Sequence, residues 1–259
     1  MRNDDRILFR ADTEFASDEI KESVVADEVA EGGKEIKVSS AVVKRLPRYY
    51  RYLRELVRQG RMRISSGELS EMMNVTASQI RQDLNCFGGF GQQGYGYNVN
   101  YLFAKISEIL GVGAGFHAII IGAGDLGRAL VHQAMFEKRG VDIIGMFDTG
   151  EGLVGQCVAG VNVMSLDLLE EFCKNHVVDI AVITCPQSQV REVADRLVKA
   201  RVKGLWNYMG VELKYSPDEV VVENVHLGDS LMILNYKIAS RLASDEDNSD
   251  GAVTDREGI

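Results

Sequence analysis

The sequence predicts an α/β protein with an N-terminal winged helix-turn-helix domain and a Rossmann-type, doubly wound parallel sheet followed by a C-terminal helix. Residues 37–65 contain nine Lys or Arg and a single Glu within a helix-like segment. Such an excess of positive charge is typical of a surface that binds nucleic-acid phosphates. From residue 116 onward, short apolar runs alternate with helix-like segments, which is typical of a parallel sheet covered by helices on both faces.

Charge divides the chain further. The formal net charge of the 259 residues is −9, and the acid is concentrated in residues 1–36 and 243–259. Because these stretches lack sustained hydrophobic periodicity, we expect an acidic disordered extension and a disordered acidic tail. Between them we expect a winged helix domain at 37–111, a Rossmann domain at 112–228 and a C-terminal dimerisation helix at 229–242.

Composition disfavours several classes of protein. No apolar run is long enough to span a membrane, and residues 1–10 lack the apolar core of a signal peptide, so a cytoplasmic protein is expected. The four cysteines are far apart and form no C-x-x-C pair, which argues against a zinc site or a disulfide framework. The four histidines form no recognisable dyad or metal cluster, and no room remains for a substrate domain, so catalysis is disfavoured.

The first helix of the N-terminal domain is expected to begin after a Ser39 or Ser40 cap. Apolar residues then recur at helical spacing up to Gly60, and Pro47 should kink or restart the helix. The basic side chains of this segment suit phosphate groups. The candidate phosphate-binding residues are Lys44, Arg45, Arg48 and Arg58, and Arg51, Arg61 and Arg63 suit the same role.

Two short helices follow, at 68–73 and 77–86, and together they form a helix-turn-helix. Thr76 should cap the second helix, with Gln79 as its capping-box partner. The polar side chains of this helix point away from its inward residues and suit base edges in the major groove. The candidate base-reading residues are Ser78, Gln79, Arg81, Gln82 and Asn85. The alternative, a solvated domain with a charged face, fits poorly with so one-sided a charge.

A glycine-rich stretch at 88–99 follows the helix-turn-helix. Five glycines interleave with three aromatic residues there, which fits a β-hairpin with a mobile tip better than a helix. The hairpin would be the wing of the domain, and a linking helix is expected at 100–110.

In the second domain, we expect six strands and three helices before the C-terminal helix. The strands are expected at 117–121, 142–147, 161–164, 179–184, 203–208 and 219–222. The helices are expected at 125–138, 166–175 and 187–201. The final helix, at about 230–242, has no obvious place on the sheet, so we expect its apolar stripe to dock on another subunit. This stripe consists of Leu231, Leu234, Ile238 and Leu242.

The turn after the first of these strands, Gly122-Ala-Gly-Asp-Leu-Gly127, suits a dinucleotide. Gly122 permits a tight turn, Gly124 lets the backbone approach a pyrophosphate, and Gly127 lets the helix pack on the strand. The helix start offers free N–H groups and a positive dipole end. Asp148, at the tip of the second strand, can accept hydrogen bonds from both hydroxyls of an adenine ribose and would repel a 2′-phosphate, which favours NAD(H) over NADP(H).

The spacing of strand, glycine turn, helix and acid therefore predicts an NAD-type dinucleotide. Coenzyme A or another adenine nucleotide is the alternative, since many nucleotides use this platform. The candidate cofactor-binding residues are Gly122, Ala123, Gly124, Asp125, Leu126, Gly127, Asp148, Thr184 and Pro186.

Several motifs along both domains are shared with one known family. They are Pro47-Arg-Tyr-Tyr-Arg-Tyr-Leu53, Val75-Thr-Ala-Ser-Gln-Ile-Arg-Gln-Asp-Leu-Asn-Cys-Phe-Gly88, Gly122-Ala-Gly-Asp-Leu-Gly-Arg-Ala-Leu130, Phe147-Asp148, Asn207-Tyr208 and Asn224-Val-His-Leu227. On these motifs, residues 39–242 resemble the Rex family of redox-sensing transcriptional repressors nearly end to end.

The resemblance implies a homodimer whose last helix swaps into the partner subunit. It also implies that NAD+ permits binding to a palindromic operator in double-stranded DNA, and that NADH releases the DNA. By resemblance, Gln79, Arg81 and Gln82 read or position the DNA, and the wing near Gln92 and Gln93 reaches the adjacent minor groove.

Two further hypotheses stay open at this point. The family usually has Tyr where Gln133 falls and Asp where His226 stands, so a paralogue that binds DNA and an adenine dinucleotide with weakened redox discrimination is one alternative. A small NAD-dependent oxidoreductase is the other, and the lack of a catalytic pair argues against it.

Overall fold

The computed structural model describes residues 39–87, 91–92 and 95–250, without side-chain detail at 91–92 and 244–250. The acidic extension expected at 1–36 lies outside the described residues, as do Gln93 and the part of the expected tail beyond residue 250. The chain divides into two compact units between Gly113 and Ala114, close to the boundary of 111/112 expected from the sequence.

The N-terminal unit has four helices and a small sheet within the described residues. The helices are α1 (Ser40–Arg58), α2 (Ser66–Met73), α3 (Ala77–Asn85) and α4 (Val99–Ile109). The strands are β1 (Arg63–Ile64), β2 (Gly91–Gln92) and β3 (Gly96–Asn98). They pair antiparallel in the order β1-β3-β2. The helix-turn-helix is therefore α2 and α3, and the wing hairpin is β2 and β3.

The sequence predicts a kink or a restart of the first helix at Pro47, but α1 runs through Pro47 as one helix, so it does not restart there. Ser39 caps the helix by accepting a hydrogen bond from the Val42 backbone N–H at 3.4 Å. Proline removes one backbone donor from the helix, but Leu46 and Tyr49 on either side of it are fully buried. Burial of this apolar face therefore holds the helix together across the missing hydrogen bond.

Capping side chains also fix the starts of the helix-turn-helix. The sequence offers Ser65 or Ser66 as the cap of α2, and Ser65 is the one used, in a reciprocal capping box with Glu68. Thr76 caps α3 as expected, because its Oγ1 accepts a hydrogen bond from the Gln79 backbone N–H at 3.1 Å. The expected capping-box role of the Gln79 side chain is wrong, since its amide donates to Asp83 instead.

The C-terminal unit is built on a seven-stranded sheet. Its strands are β4 (Phe116–Ile121), β5 (Val141–Asp148), β6 (Cys157–Val158), β7 (Val161–Ser165), β8 (Ile180–Ile183), β9 (Gly204–Asn207) and β10 (Val221–Asn224). The order is β10-β9-β8-β4-β5-β7-β6, and only the β6–β7 pair is antiparallel. The six parallel strands follow the Rossmann order, in which the chain changes direction between β4 and β8.

The helices of this unit are α5 (Asp125–Val131), α6 (Leu169–Asn175), α7 (Val190–Lys199) and α8 (Leu227–Asp250). The first is shorter than the expected helix at 125–138, because the chain leaves the helix at His132 and buries Phe136 in a T-shaped contact with the Trp206 ring. The strand β6 was not expected.

The last helix is longer than expected. The sequence predicts its end at residue 242 and a disordered tail at 243–259, but α8 continues through Asp250. No Gly or Pro interrupts the chain between Gly228 and Gly251, so nothing in this stretch breaks a helix once it has started. Every residue from Leu227 to Ala243 is exposed, including the apolar stripe expected to dock on another subunit.

Candidate dinucleotide site and nucleic-acid interface

A cavity of about 380 Å³ lies at the point where the sheet changes direction, beside the carboxyl ends of β4, β5 and β8. In Rossmann sheets this crevice is where ligands bind. Five of the nine predicted cofactor-binding residues line it, namely Gly122, Gly124, Asp148, Thr184 and Pro186. The other four, Ala123, Asp125, Leu126 and Gly127, belong to the glycine turn and to the first turn of α5 but do not line the cavity.

Sequence reasoning missed other residues that line the cavity. They include Thr149, Cys185, Gln189 and Met209. Their position is the signal that could have found three of them, because Thr149, Cys185 and Met209 follow β5, β8 and β9 within two residues and so lie at the carboxyl edge of the parallel sheet. Gln189 is the N-cap residue of α7. Burial raises the pKa of the Cys185 thiol to about 11, so this cysteine stays protonated at neutral pH and is a poor nucleophile.

The three glycines of the turn have different structural roles. Gly122 has φ +105, and a Cβ there would lie 2.6 Å from the Cys185 backbone nitrogen. At Gly127 a Cβ would collide with the Gly122 carbonyl oxygen. At Gly124 a Cβ would meet nothing within 4 Å, so the protein's own packing does not require this glycine. The open space beside Gly124 is where a pyrophosphate would approach the backbone.

Asp148 connects the glycine turn to the loop after β5. Its Oδ2 accepts a hydrogen bond from the Ala123 backbone N–H at 2.6 Å, and its Oδ1 accepts one from Gly150 at 2.8 Å. Each carboxylate oxygen can accept a second bond. Asp148 can therefore hold the turn and still bind two ribose hydroxyls.

Thr184 fastens the turn from the other side of the crevice. Its hydroxyl donates to the carbonyl oxygens of Ile121 at 3.0 Å and Gly122 at 2.9 Å. A single hydroxyl hydrogen is shared between these two acceptors. The turn is thus held by Asp148 and Thr184 from the strands on both sides of β4.

In the N-terminal unit, α3 presents most of its predicted base-reading residues to solvent. Ser78, Arg81, Gln82 and Asn85 are exposed. Arg81 also donates a hydrogen bond to the Ser66 hydroxyl on α2, at 3.2 Å. Gln79 is half-buried, and its Nε2 donates to Asp83 Oδ1 at 2.8 Å.

Asp83, whose role no local sequence pattern indicates, is the centre of a buried network. Only 1% of it is exposed. Its Oδ1 and Oδ2 accept hydrogen bonds from Arg45 Nη2 and Nε at 2.6 and 2.7 Å, and Oδ2 also accepts from the Tyr49 hydroxyl at 2.9 Å. Burial alone would raise the pKa of Asp83, but the hydrogen bonds from Arg45, Gln79 and Tyr49 outweigh it and hold the pKa below its usual value.

The predicted phosphate-binding residues fall into two groups. Lys44, Arg48 and Arg58 have no carboxylate partner among the described residues and are exposed or half-buried. Arg45 is paired with Asp83, so its predicted role at a phosphate competes with a structural one. Of the predicted wing residues, Gln92 lies in β2 and Gln93 lies outside the described residues.

The two arginines around β1 also differ. Arg61 forms an ion pair with Glu68, and the Ser65 backbone N–H together with Arg61 lowers the pKa of Glu68 to about 2. Arg63 instead lies 5.9 Å from the centre of the Tyr95 ring and donates to the Tyr95 carbonyl oxygen at 3.3 Å. Its charge is not neutralised by a carboxylate of the described residues.

Gln133 and His226, the two positions that motivate the alternative with weakened redox discrimination, are both exposed. Gln133 lies just after α5, and His226 immediately precedes α8. Within the described residues, no three His, Cys, Asp or Glu side chains are placed to hold a metal ion.

Both units match known protein families. Residues 37–85 match the family model described as “Putative DNA-binding protein N-terminus”. Residues 116–210 match the model described as “CoA binding domain”. No helix within the described part of the chain combines the length and hydropathy that a membrane span requires.

Curated relatives cover most of the chain. It is 50% identical over 205 residues to the redox-sensing transcriptional repressor Rex of Thermoanaerobacter pseudethanolicus, a match that spans 79% of this chain and 91% of the relative. It is 48% identical to the protein of the same name from Clostridium botulinum, over 79% of this chain and 97% of the relative.

Two solved structures are also similar to this chain over most of its length. The chain is similar to RSP in complex with β-NAD+ and operator DNA, with a TM-score of 0.75 and 47% identity over 82% of this chain and 98% of that one. It is also similar to RSP in complex with β-NADH, with a TM-score of 0.74 and 44% identity over 81% of this chain and 98% of that one.

Proposed function

Because this chain belongs to the Rex family of redox-sensing transcriptional repressors, we propose that it represses transcription by binding operator DNA through its N-terminal unit and releases the DNA when NADH occupies the C-terminal cavity. The observation that carries this proposal is the joining, in one chain, of a winged helix-turn-helix to a Rossmann crevice with an unobstructed glycine turn. The relatives are named as repressors, not as oxidoreductases, which supports a sensing role for the dinucleotide.

The cavity supports NAD(H) as the ligand. Gly124 leaves open backbone where the pyrophosphate would lie, and Asp148 faces the crevice with acceptor capacity for both ribose hydroxyls. A 2′-phosphate in the same place would meet the charge of Asp148, so NADP(H) is disfavoured. Thr184 and Pro186 would contact the dinucleotide from the β8 side, and Ala123, Asp125, Leu126 and Gly127 would complete the phosphate-binding turn.

The DNA-binding role is distributed over α1, α3 and the wing. We assign base contacts to Ser78, Gln79, Arg81 and Gln82, which lie on the recognition helix α3. We assign phosphate contacts to Lys44, Arg48 and Arg58, whose charges have no carboxylate partner among the described residues. Arg45 would act through Asp83 as well as by its charge, and Gln92 and Gln93 would reach the minor groove beside α3.

The exposed stripe of α8 supports a homodimer. Leu231, Leu234, Ile238 and Leu242 are each at least half exposed, and four such side chains in one stripe are costly to leave in water. We propose that α8 packs on a second copy of the chain, in the domain-swapped manner that the family resemblance implies. A dimer with two-fold symmetry presents two copies of α3, which matches a palindromic operator. Its work on DNA would place it in the cytoplasm.

The proposal is tested by measuring operator binding at fixed concentrations of each dinucleotide. An operator duplex is first selected from random DNA in the presence of NAD+, and its affinity for the chain is then followed by fluorescence anisotropy. We expect NADH to weaken operator binding by tenfold or more and NAD+ to leave it unchanged. Equal effects of the two dinucleotides, together with equal affinities by calorimetry, would favour the alternative in which Gln133 and His226 have weakened redox discrimination. No effect of NADH at saturation would refute the proposed gating.

A further inference from the structure

The carboxylate of Asp83 is saturated by its hydrogen-bond donors. Each of its two oxygens accepts two bonds, from Arg45, Tyr49 and Gln79. An ionised carboxylate offers about four lone-pair sites and no donor. The lowered pKa of Asp83 agrees with this ionised state. Any group that faces Asp83 in this network must therefore be a donor.

This requirement fixes the direction of the Gln79 side-chain amide. Gln79 and Asp83 are four residues apart on α3 and lie on the same face of the helix. If the amide were turned over, its carbonyl oxygen would face an anionic oxygen and the charge-assisted bond at 2.8 Å would be lost. The Gln79 backbone N–H is also occupied, because it donates to Thr76 Oγ1. The side chain therefore keeps Oε1 as its unused acceptor, beside the second hydrogen of Nε2 as a remaining donor.

We infer that Asp83 orients Gln79 so that Oε1 is the atom presented to the DNA, and that Gln79 thereby selects a base with an exocyclic amino group. The inference rests on the proposed docking of α3 in the major groove. Gln79 is the third residue of α3, and the first residues of a recognition helix are those that contact base edges.

The bases that Oε1 can recognise follow from the groups that each base presents in the major groove. Adenine offers its N6 amino group and cytosine its N4 amino group as donors, whereas guanine and thymine present only acceptors or a methyl group there. An outward Oε1 therefore favours adenine or cytosine, and with adenine the second Nε2 hydrogen can also donate to N7. Asp83 is a positioning residue in this scheme, since it is buried and acts through Gln79.

The first experiment maps the contact with base analogues. In the selected operator, each adenine of a half-site is replaced by purine, which lacks N6, and each cytosine by 2-pyrimidinone, which lacks N4. Affinities are measured by anisotropy for the full chain and for Gln79→Met, which keeps the side-chain length without its hydrogen bonds. We expect one position at which the analogue weakens the unmodified protein by about three- to tenfold, the range for one hydrogen bond, and leaves Gln79→Met unaffected.

The second experiment tests the role of Asp83. In Asp83→Asn the neighbour of Gln79 is an amide that can accept or donate, so the amide of Gln79 is free to turn over. We expect the analogue penalty at the mapped position to fall below twofold while penalties at other positions persist. The double variant Gln79→Glu, Asp83→Asn returns a carboxylate to the network and an acceptor to the base, so the penalty should reappear, even if the single variant folds poorly.

Tyr49→Phe is the matched control. It removes another hydrogen bond to Asp83 without touching Gln79, so stability should fall while the base preference stays the same. The inference is overturned if no analogue position has an affinity penalty that depends on Gln79, or if Asp83→Asn reduces the penalties at all positions equally. Failure of the unmodified chain to bind any selected operator would instead refute the proposed function, so the two failures are distinguishable.

Discussion

A pair of substitutions in the glycine turn separates what the fold needs from what the ligand needs. In Gly127→Ala, the added Cβ would collide with the Gly122 carbonyl oxygen and lie 3.0 Å from Thr184 Oγ1. The obstacle at Gly122 is backbone, so no rotamer change relieves it and α5 must move away from β4. Overpacking of a core typically costs about 1–3 kcal/mol, and we expect about 3 kcal/mol here because backbone has to shift.

Gly124→Ala is the matched control for the same turn. Its Cβ would meet nothing within 4 Å, and the φ of −69 suits any residue. Alanine is a poorer N-cap than glycine, but it also restricts the unfolded chain by about 0.4–1 kcal/mol. These effects oppose each other, so the unfolding free energy should change by less than about 0.5 kcal/mol. Dinucleotide affinity should nevertheless fall at least tenfold in both variants.

The single tryptophan allows the unfolding free energy to be measured for the C-terminal unit alone. Trp206 lies in β9 and packs against Phe136 and Tyr208, so its fluorescence during urea unfolding reports this unit. If the unfolding free energy falls with urea concentration at the same slope in each variant, the free energies can be compared directly. The NADH affinity is measured by calorimetry. The reasoning fails if Gly127→Ala is as stable as the unmodified chain, or if Gly124→Ala loses as much stability as Gly127→Ala.

Three further predictions concern charge. Asp148→Asn keeps an acceptor for the turn but removes the charge, so calorimetry should show weaker NADH binding and stronger NADPH binding; unchanged affinity for both would rule out the ribose contact. When the logarithm of the DNA affinity is plotted against the logarithm of the salt concentration, Arg63→Ala should make the slope shallower by about 0.9. Arg61→Ala should change this slope less, because Glu68 already neutralises Arg61. Equal changes of slope in the two variants would contradict this. The third prediction concerns pH. The folded-state pKa of Asp83 is lowered, so the ionised carboxylate stabilises the fold above the unfolded pKa of about 3.9. In acid unfolding, the stability advantage of the unmodified chain over Asp83→Asn should therefore shrink as the pH falls below that value, and a constant difference would refute the assignment.

The sequence predicted the doubly wound parallel sheet and the dinucleotide-binding turn because their signals are local. The glycine turn, the helix after it and Asp148 occupy a short stretch of chain, and the right-handed connection of parallel strands leaves few ways to arrange it. The same reasoning located the helix-turn-helix, whose capping residue Thr76 lies next to the helix that it starts.

Contacts between distant residues could not be predicted in the same way. Arg45 and Asp83 are separated by 38 residues, and nothing in the local pattern shows that one arginine of a basic helix is paired with a buried acid. The assignment of Arg45 to phosphate therefore missed its structural partner. The end of α5 at Val131 was also unpredictable, because burial of Phe136 against β9 overrides a helical pattern that continues in sequence.

Asp148 and Thr184 have a consequence for the speed of a response. Together they hold the glycine turn with hydrogen bonds from the protein itself, so the geometry of the turn does not depend on contacts from a dinucleotide. Arrival is then governed by diffusion, and the lifetime of the complex by the strength of its contacts. A protein that reports a fluctuating metabolite has to exchange its ligand faster than the metabolite changes, and a preassembled site removes loop folding as a source of delay.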